Sequence, residues 1–270
     1  MIVPGEPAFN DAKLKQGIRQ RQRDDEMKVR ALQVDVQKAL ESGDRERIHQ
    51  IHLKLHEITF GVGVTPQIRE DFLARYGCTG WTDDILDALV DLADNRGIVE
   101  IGAGHGQWAR ALTEKRAQVD RTRSNAFDFV LAYDNMSDLP LSTKVYHQRT
   151  QPAHDFFFSK VSPCTDIESV LRQWTCRGRV LMLVYPPPGD LALDSIKAYV
   201  KLGPENDTVI FVGEGRGGAN ADDAFFDYLE SGNWALIDIK DVLSQPGGKG
   251  YEKLFIFKHL SVRSILDCPL

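Results

Sequence analysis

The chain has 270 residues, 42% hydrophobic and 27% charged, which is enough for one sizeable core with a smaller accessory segment. A formal net charge of −6 argues against a protein that coats nucleic acid with its whole surface, while a local basic patch stays compatible with it. Residues 1–16 contain no apolar signal-peptide core, and no later stretch is apolar for long enough to span a bilayer. Cys78, Cys164, Cys176 and Cys268 form no CxxC pair and are too sparse for a disulfide scaffold. The expectation is a cytoplasmic protein with reduced thiols and no membrane partner.

Asp11 to about Leu55 is rich in Lys, Arg, Glu, Gln and Asp. Val29, Leu32, Val36 and Leu40 recur there at helical spacing until Ser42-Gly43 interrupts them. This predicts two amphipathic helices, in an N-terminal helical extension spanning 1–62 that precedes an α/β domain spanning 63–270. The basic run Lys13–Arg23 reads as a solvated helix face. His49, His52 and His56 share one side of the second helix, but no Cys or carboxylate cluster accompanies them, so no metal site is expected.

Thr82–Ala93 is a predicted helix, with Thr82 as its N-cap and Asp83 and Asp84 in its first turn. From there short, nearly continuous apolar runs alternate with helical stretches. The runs are Gly97–Ile101, Phe129–Tyr133, Lys144–His147, Val180–Tyr185 and Thr208–Val212, and they read as buried parallel strands. The helices between them are Trp108–Lys115, Asp166–Trp174, Leu191–Leu202 and Asp222–Ser231. Trp234–Ile239 and Lys253–Lys258 flank a Pro-Gly-Gly loop without a helix and read as an antiparallel hairpin. The predicted fold is α/β: a doubly wound, mostly parallel seven-stranded sheet with a C-terminal antiparallel hairpin, preceded by a helical segment.

Chemistry concentrates at three strand ends. Ile98-Val99-Glu100-Ile101-Gly102-Ala103-Gly104-His105-Gly106-Gln107-Trp108 is a strand, a glycine turn and a helix start. Its spacing is G-x-G-x-G, whereas a dinucleotide fingerprint would need glycine where Gln107 stands. Glu100 is an acid inside an apolar strand, which is costly unless it has a partner. Asp134, followed by Asn135, stands at the tip of the next strand, where a carboxylate is placed to accept hydrogen bonds from ribose hydroxyls. Tyr185-Pro186-Pro187-Pro188-Gly189-Asp190 locks the chain into a fixed turn after a third strand.

The first of these segments resembles motif I of the class I S-adenosylmethionine-dependent methyltransferases, E/D-x-G-x-G-x-G. The proline turn resembles their motif IV, (D/N)-P-P-(Y/F), and the region Gly97–Phe226 is similar to a methyltransferase-like group carrying a Trp-Pro-Pro-Tyr turn. The resemblance covers about the last two thirds of the chain. It implies S-adenosylmethionine as cofactor, held by Glu100, Gly102, Ala103, Gly104, Gly106, Trp108, Asp134, Asn135, Tyr185 and Pro186. In motif IV this chain has Tyr185 and Pro188 where the family has its polar acceptor and its stacking ring, so the turn points to a cofactor-facing wall more than to a base-amino target. Catalytic candidates are Tyr185, whose ring can favour a sulfonium, and His147 and Asp190 as bases at the same sheet edge. The methyl acceptor is open: a small molecule or an exposed amine or hydroxyl is favoured, with nucleic acid or a non-catalytic cofactor-binding scaffold as alternatives. The N-terminal helices are expected to cap the site or to mediate oligomerisation.

Overall fold

The computed structural model describes residues 12–119, 128–135, 154–248 and 250–260. These fall into two compact units, one of residues 72–245 with 250–260, the other of residues 12–71 with 246–248. In the second unit, α1 (Ala12–Ser42) and α2 (Arg45–Phe60) form a helical hairpin. Gly43 adopts φ 69° and so ends α1 at no steric cost, and Asp44 then caps α2 by accepting the Arg47 N–H at 3.0 Å. Among the described side chains, Ala39 and Ile51 are the buried residues of the pair. A further helix, α3 (Pro66–Tyr76), starts at Thr65, whose hydroxyl accepts the Ile68 N–H.

The larger unit is built on a seven-stranded sheet. Its strands, in chain order, are β2 (Ile98–Ile101), β3 (Val130–Asp134), β4 (Val161–Pro163), β5 (Val180–Val184), β6 (Thr208–Gly213), β7 (Trp234–Asp241) and β9 (Lys253–His259). Their spatial order is β4-β3-β2-β5-β6-β9-β7. The first five are parallel, and β9 runs antiparallel to both β6 and β7. A separate two-stranded ladder pairs β1 (Thr79–Gly80) with β8 (Leu243–Ser244). The fold is therefore the doubly wound, mostly parallel α/β sheet expected, with an antiparallel C-terminal pair.

One strand differs from expectation. The neighbour of β3 is β4, which Ser162 and Pro163 and its half-exposed edge position hide from any apolar pattern. The predicted strand Lys144–His147 lies outside the described residues.

The sheet alternates its faces. Ile98, Met182, Ile210, Val212, Leu254 and Ile256 pack with Ile85, Leu86, Leu89 and Val90 of α4 (Asp83–Ala93) and with Trp108, Ala109 and Leu112 of α5 (Gln107–Val119). On the other face, Phe211 meets Phe225 and Phe226 of α8 (Asp223–Ser231), with ring centroids 5.3 and 5.7 Å away. Burial of apolar side chains on both faces explains why the strands read as continuous apolar runs. α6 (Ile167–Leu171) and α7 (Leu191–Val200) complete the helical layers. α6 is shorter than its predicted span, and a 3-10 turn at Trp174–Cys176 follows it.

At the edge where the parallel strands begin, Arg179 is 5% exposed. Its guanidinium donates to the carbonyls of Ile98 (3.3 Å), Asp128 (2.8 Å) and Phe129 (3.1 Å), fastening the starts of β2 and β3 together. The chain enters the sheet at its centre, winds outward through β3 and β4, then returns to β5. A crevice at the carboxyl ends of β2 and β5 is the geometric consequence of that reversal.

Candidate functional site

The crevice is present as a cleft of about 560 Å³ within the larger unit. It is lined by the ends of β2, β3 and β5, the segment Tyr76–Cys78, and the β6–α8 loop at Ala219 and Asn220. Of the residues singled out in the sequence, Glu100, Gly102, Ala103, Gly104, Trp108, Asp134, Asn135 and Tyr185 all line it. The lining contains no Lys or Arg among the described residues, but holds the two carboxylates Glu100 and Asp134.

The glycine turn explains how such a wall is made. Gly102, Gly104 and Gly106 take φ values of 75°, 57° and 73°, the left-handed region where a Cβ is strained. The amides of Gly102 and Ala103 donate to the Tyr133 carbonyl at 2.9 and 3.0 Å, and the Gly104 N–H donates to Asp134 Oδ2 at 2.7 Å. Asp134 thus ties the glycine loop to the tip of β3. Gly106 lies behind the lining, where an added Cβ would stand 2.7 Å from Phe158 Cβ and from Val161 Cγ2.

Glu100 is 1% exposed, and its Oε2 has no hydrogen-bond partner among the described residues. Burial pushes its carboxyl up to about 8, and the neighbouring Asp134 charge adds to the rise. A buried carboxyl with one oxygen unpartnered among the described residues, beside a glycine loop, is poised to receive a cationic or hydrogen-bonding group. Cys78 also lines the cleft, but burial, reinforced by Glu252, pushes its thiol up to about 11, so it stays protonated and is a poor nucleophile.

Trp108 is part of the cleft wall and of the core together. It is 3% exposed, its Nε1–H donates to the Thr79 carbonyl at 3.0 Å, and its ring meets Trp81 edge-on at 5.1 Å. Trp81 meets Tyr76 edge-on at 4.9 Å, so one aromatic chain supports the Tyr76–Cys78 segment that lines the cleft. Trp108→Phe is expected to keep the packing, orphan the Thr79 carbonyl and lower the unfolding free energy by about 1 kcal/mol, read from the urea midpoint.

Tyr185 stands at the end of β5 with φ 50°, an outlier for an aromatic residue, while its N–H donates to the Val212 carbonyl at 2.7 Å. Pro187 and Pro188 continue the wall. Pro186 does not line it, because its carbonyl turns toward the β6–α8 loop, where it accepts from Asn220. Asp190 is placed at the N-cap of α7, outside the lining, and makes no side-chain cap bond. His147 lies outside the described residues. Among the described residues no group of His, Cys, Asp and Glu could hold a metal ion, His49, His52 and His56 included. No helix among them is long and apolar enough to cross a membrane.

Two further lining residues are read only from their partners. His105, inside the glycine turn, stacks on Phe157 with centroids 3.9 Å apart and planes 3° from parallel. Asn220 is 1% exposed and lines the cleft from the β6–α8 loop. A polar residue in a glycine-rich loop gives no periodic signal, so only its partners reveal it.

No protein-family model and no curated protein matches the chain. Among solved structures it is similar to a point mutant of MtNAS in complex with S-adenosylmethionine, at 13% identity over 86% of this chain and 74% of that one, TM-score 0.36. It is also similar to the ribosomal protein L11 methylase from Lactobacillus delbrueckii subsp. bulgaricus, at 13% identity over 66% of this chain and 79% of that one, TM-score 0.36. A third similarity is to the methyltransferase domain of bacterial CtHen1-C, at 11% identity over 66% of this chain and 97% of that one, TM-score 0.35. Superpositions this loose and identities this low leave substrate and chemistry to be argued from the cleft itself.

Proposed function

We propose that this chain is an S-adenosylmethionine-dependent methyltransferase acting on a small molecule or on an exposed amine or hydroxyl. The observation that carries the reading is Glu100: a buried carboxyl with an unpartnered oxygen, beside a G-x-G-x-G turn, in a cleft whose described lining holds no cation. A ligand bearing an ammonium and a sulfonium fits that charge pattern. A dinucleotide pyrophosphate fits it less well: the turn and the start of α5 offer backbone donors, but its negative charge would meet the Glu100 and Asp134 carboxylates with no Lys or Arg in the described lining to offset them. The cleft volume also falls within the range of about 300–1,000 Å³ usual for small-ligand sites.

When bound, S-adenosylmethionine supplies a methyl group on a positively charged sulfur. The residues of this chain align and enclose it. The left-handed glycines let the backbone approach the ligand closely, as side chains there would forbid. Asp134, which braces the Gly104 amide from the tip of β3, accepts from the ribose hydroxyls in this reading. Glu100 compensates positive charge once it has lost its proton. Tyr185 offers the negative face of its ring to a sulfonium. Val184, Leu191 and Ile167 line the cleft as well and keep water from the reacting centre. Asp190 and His147 remain candidate bases for a protonated acceptor.

Asp134→Ala is expected to weaken S-adenosylmethionine binding about 100-fold, because charge-assisted hydrogen bonds to two hydroxyls are lost together. Calorimetry on the purified variant checks this. Catalysis itself is tested by following S-adenosylhomocysteine formation over a panel of amines, hydroxyl compounds and RNA. Turnover with a small acceptor supports the reading. Turnover on RNA alone transfers it to nucleic acid, and cofactor binding without turnover on any acceptor leaves a binding scaffold.

A further inference from the structure

The β6–α8 connection does something that a plain loop does not. Three consecutive residues, Asn220, Ala221 and Asp222, grip the proline turn at two points. The Pro186 carbonyl accepts from the Asn220 side-chain amide at 3.2 Å and from the Ala221 N–H at 3.3 Å. At the other end of the turn, the Gly189 N–H donates to Asp222 Oδ1 at 2.8 Å. Asn220 spends its other side-chain atom too, with Oδ1 accepting the Glu214 N–H at 2.9 Å. Gly213 makes the room for this, since a Cβ there would stand 2.8 Å from Asn220 Oδ1.

The cost of the grip is visible in both partners. Asp222 occupies the N-cap of α8 yet makes no cap bond to its own helix, its carboxylate being committed to a turn 33 residues earlier. Ala221 is held at φ 53° and Tyr185, immediately before the gripped Pro186, at φ 50°. Left-handed conformations in two non-glycine residues persist only where their surroundings over-determine them, and such strain gathers at functional sites. The hydrogen bonds that Asn220, Ala221 and Asp222 make with Pro186 and Gly189 belong to that surrounding structure, together with the bond from the Tyr185 N–H to the Val212 carbonyl. Tyr185, the residue before the gripped Pro186, lines the cleft.

We propose that Asn220 and Asp222 are positioning residues that lock Tyr185 in its left-handed conformation at the cleft wall, and that this lock sets the preference of the cleft for a cationic sulfonium over the neutral thioether product. The inference rests on the S-adenosylmethionine reading above. An aromatic ring favours a cation most when its face is aimed at the charge, whereas a neutral thioether gains only the weaker sulfur–aromatic contact from the same alignment. A clamp that merely stabilised the fold would instead weaken both ligands together.

The test is calorimetric titration of S-adenosylmethionine and S-adenosylhomocysteine into the wild type, Tyr185→Ala, Asn220→Asp, Asp222→Ala, Asp222→Asn and the double variant Asn220→Asp/Tyr185→Ala. Thermal melting of each reports the folded fraction. Asn220→Asp is isosteric: it keeps the acceptor for Glu214 and replaces the donor to Pro186 with an oxygen, and because residue 220 lines the cleft any charge it brings favours the sulfonium, opposite to the fall predicted. It and Asp222→Ala are expected to lower the ratio of the two affinities roughly fivefold, as Tyr185→Ala does. The double variant should lower it no further, because both changes remove one interaction. Asp222→Asn retains the acceptor oxygen and should keep the wild-type ratio. Should Asn220→Asp fail to fold, the two Asp222 variants decide the matter alone. Clamp variants that melt earlier with an unchanged ratio would overturn the proposal and leave the cofactor reading standing. A folded wild type that binds neither ligand would remove both.

Discussion

Gly106→Ala is expected to lower the unfolding free energy by about 2–5 kcal/mol, combining left-handed strain with overpacking, and to abolish cofactor binding. Gly106 has φ 73°, and the new methyl would meet Phe158 Cβ and Val161 Cγ2 at 2.7 Å. Neither neighbour offers a flexible end that can swing aside. Phe158 is contacted at its Cβ and its N–H donates to the His105 carbonyl, while Val161 opens β4. The strain therefore has to be relieved by the glycine turn itself, which moves Gly104 away from Asp134. Chemical denaturation measures the first effect and calorimetry the second. A variant as stable as wild type would show that the turn is looser than its packing implies.

Glu100→Gln is expected to change the pH dependence of both stability and binding. Folding raises the Glu100 carboxyl from a usual value of 4.5 to about 8, so between those values the folded chain holds more protons than the unfolded chain. Stability therefore falls as pH rises through that window, by up to about 1.4 kcal/mol per unit, and the loss is complete above about pH 8. Glutamine carries no proton to lose, so the urea midpoint of wild type should drop relative to Glu100→Gln between pH 5 and pH 9. Binding has the opposite sign. A cation in the cleft favours the carboxylate, so S-adenosylmethionine affinity should rise with pH by up to about tenfold per unit until about pH 8, with a proton released on binding. Buffers of different ionisation enthalpy detect that proton directly. Parallel stability profiles for the two proteins would show that Glu100 is already charged in the free fold.

The sequence carried the central sheet because strands buried on both faces leave continuous apolar runs, as Val180–Val184 and Thr208–Gly213 do. It carried much of the cleft for a different reason. Glycines at alternate positions after a strand, and acids at strand tips, are local signals that need no knowledge of partners. What it hid was non-local. β4 is three residues long with two of them polar or proline, and the β1–β8 ladder is two residues per strand, so neither leaves a pattern. α3 went unread although Thr65-Pro66 is a cap followed by a helix-compatible proline. The placement of β9 between β6 and β7 follows from tertiary pairing, which the hairpin loop alone does not specify. Asn220 is the sharpest case, because its meaning lies in a carbonyl 34 residues away.

The account stands most directly on calorimetric titration of S-adenosylmethionine and NADH into the wild type and Gly104→Arg. Gly104 lines the cleft at φ 57° with its amide bonded to Asp134, so an arginine there disrupts the turn and projects a cation into the site. The predicted result is one-to-one S-adenosylmethionine binding at micromolar affinity by the wild type, none by Gly104→Arg, and no NADH binding by either. A folded wild type that ignores S-adenosylmethionine, or that binds NADH in its place, would contradict it.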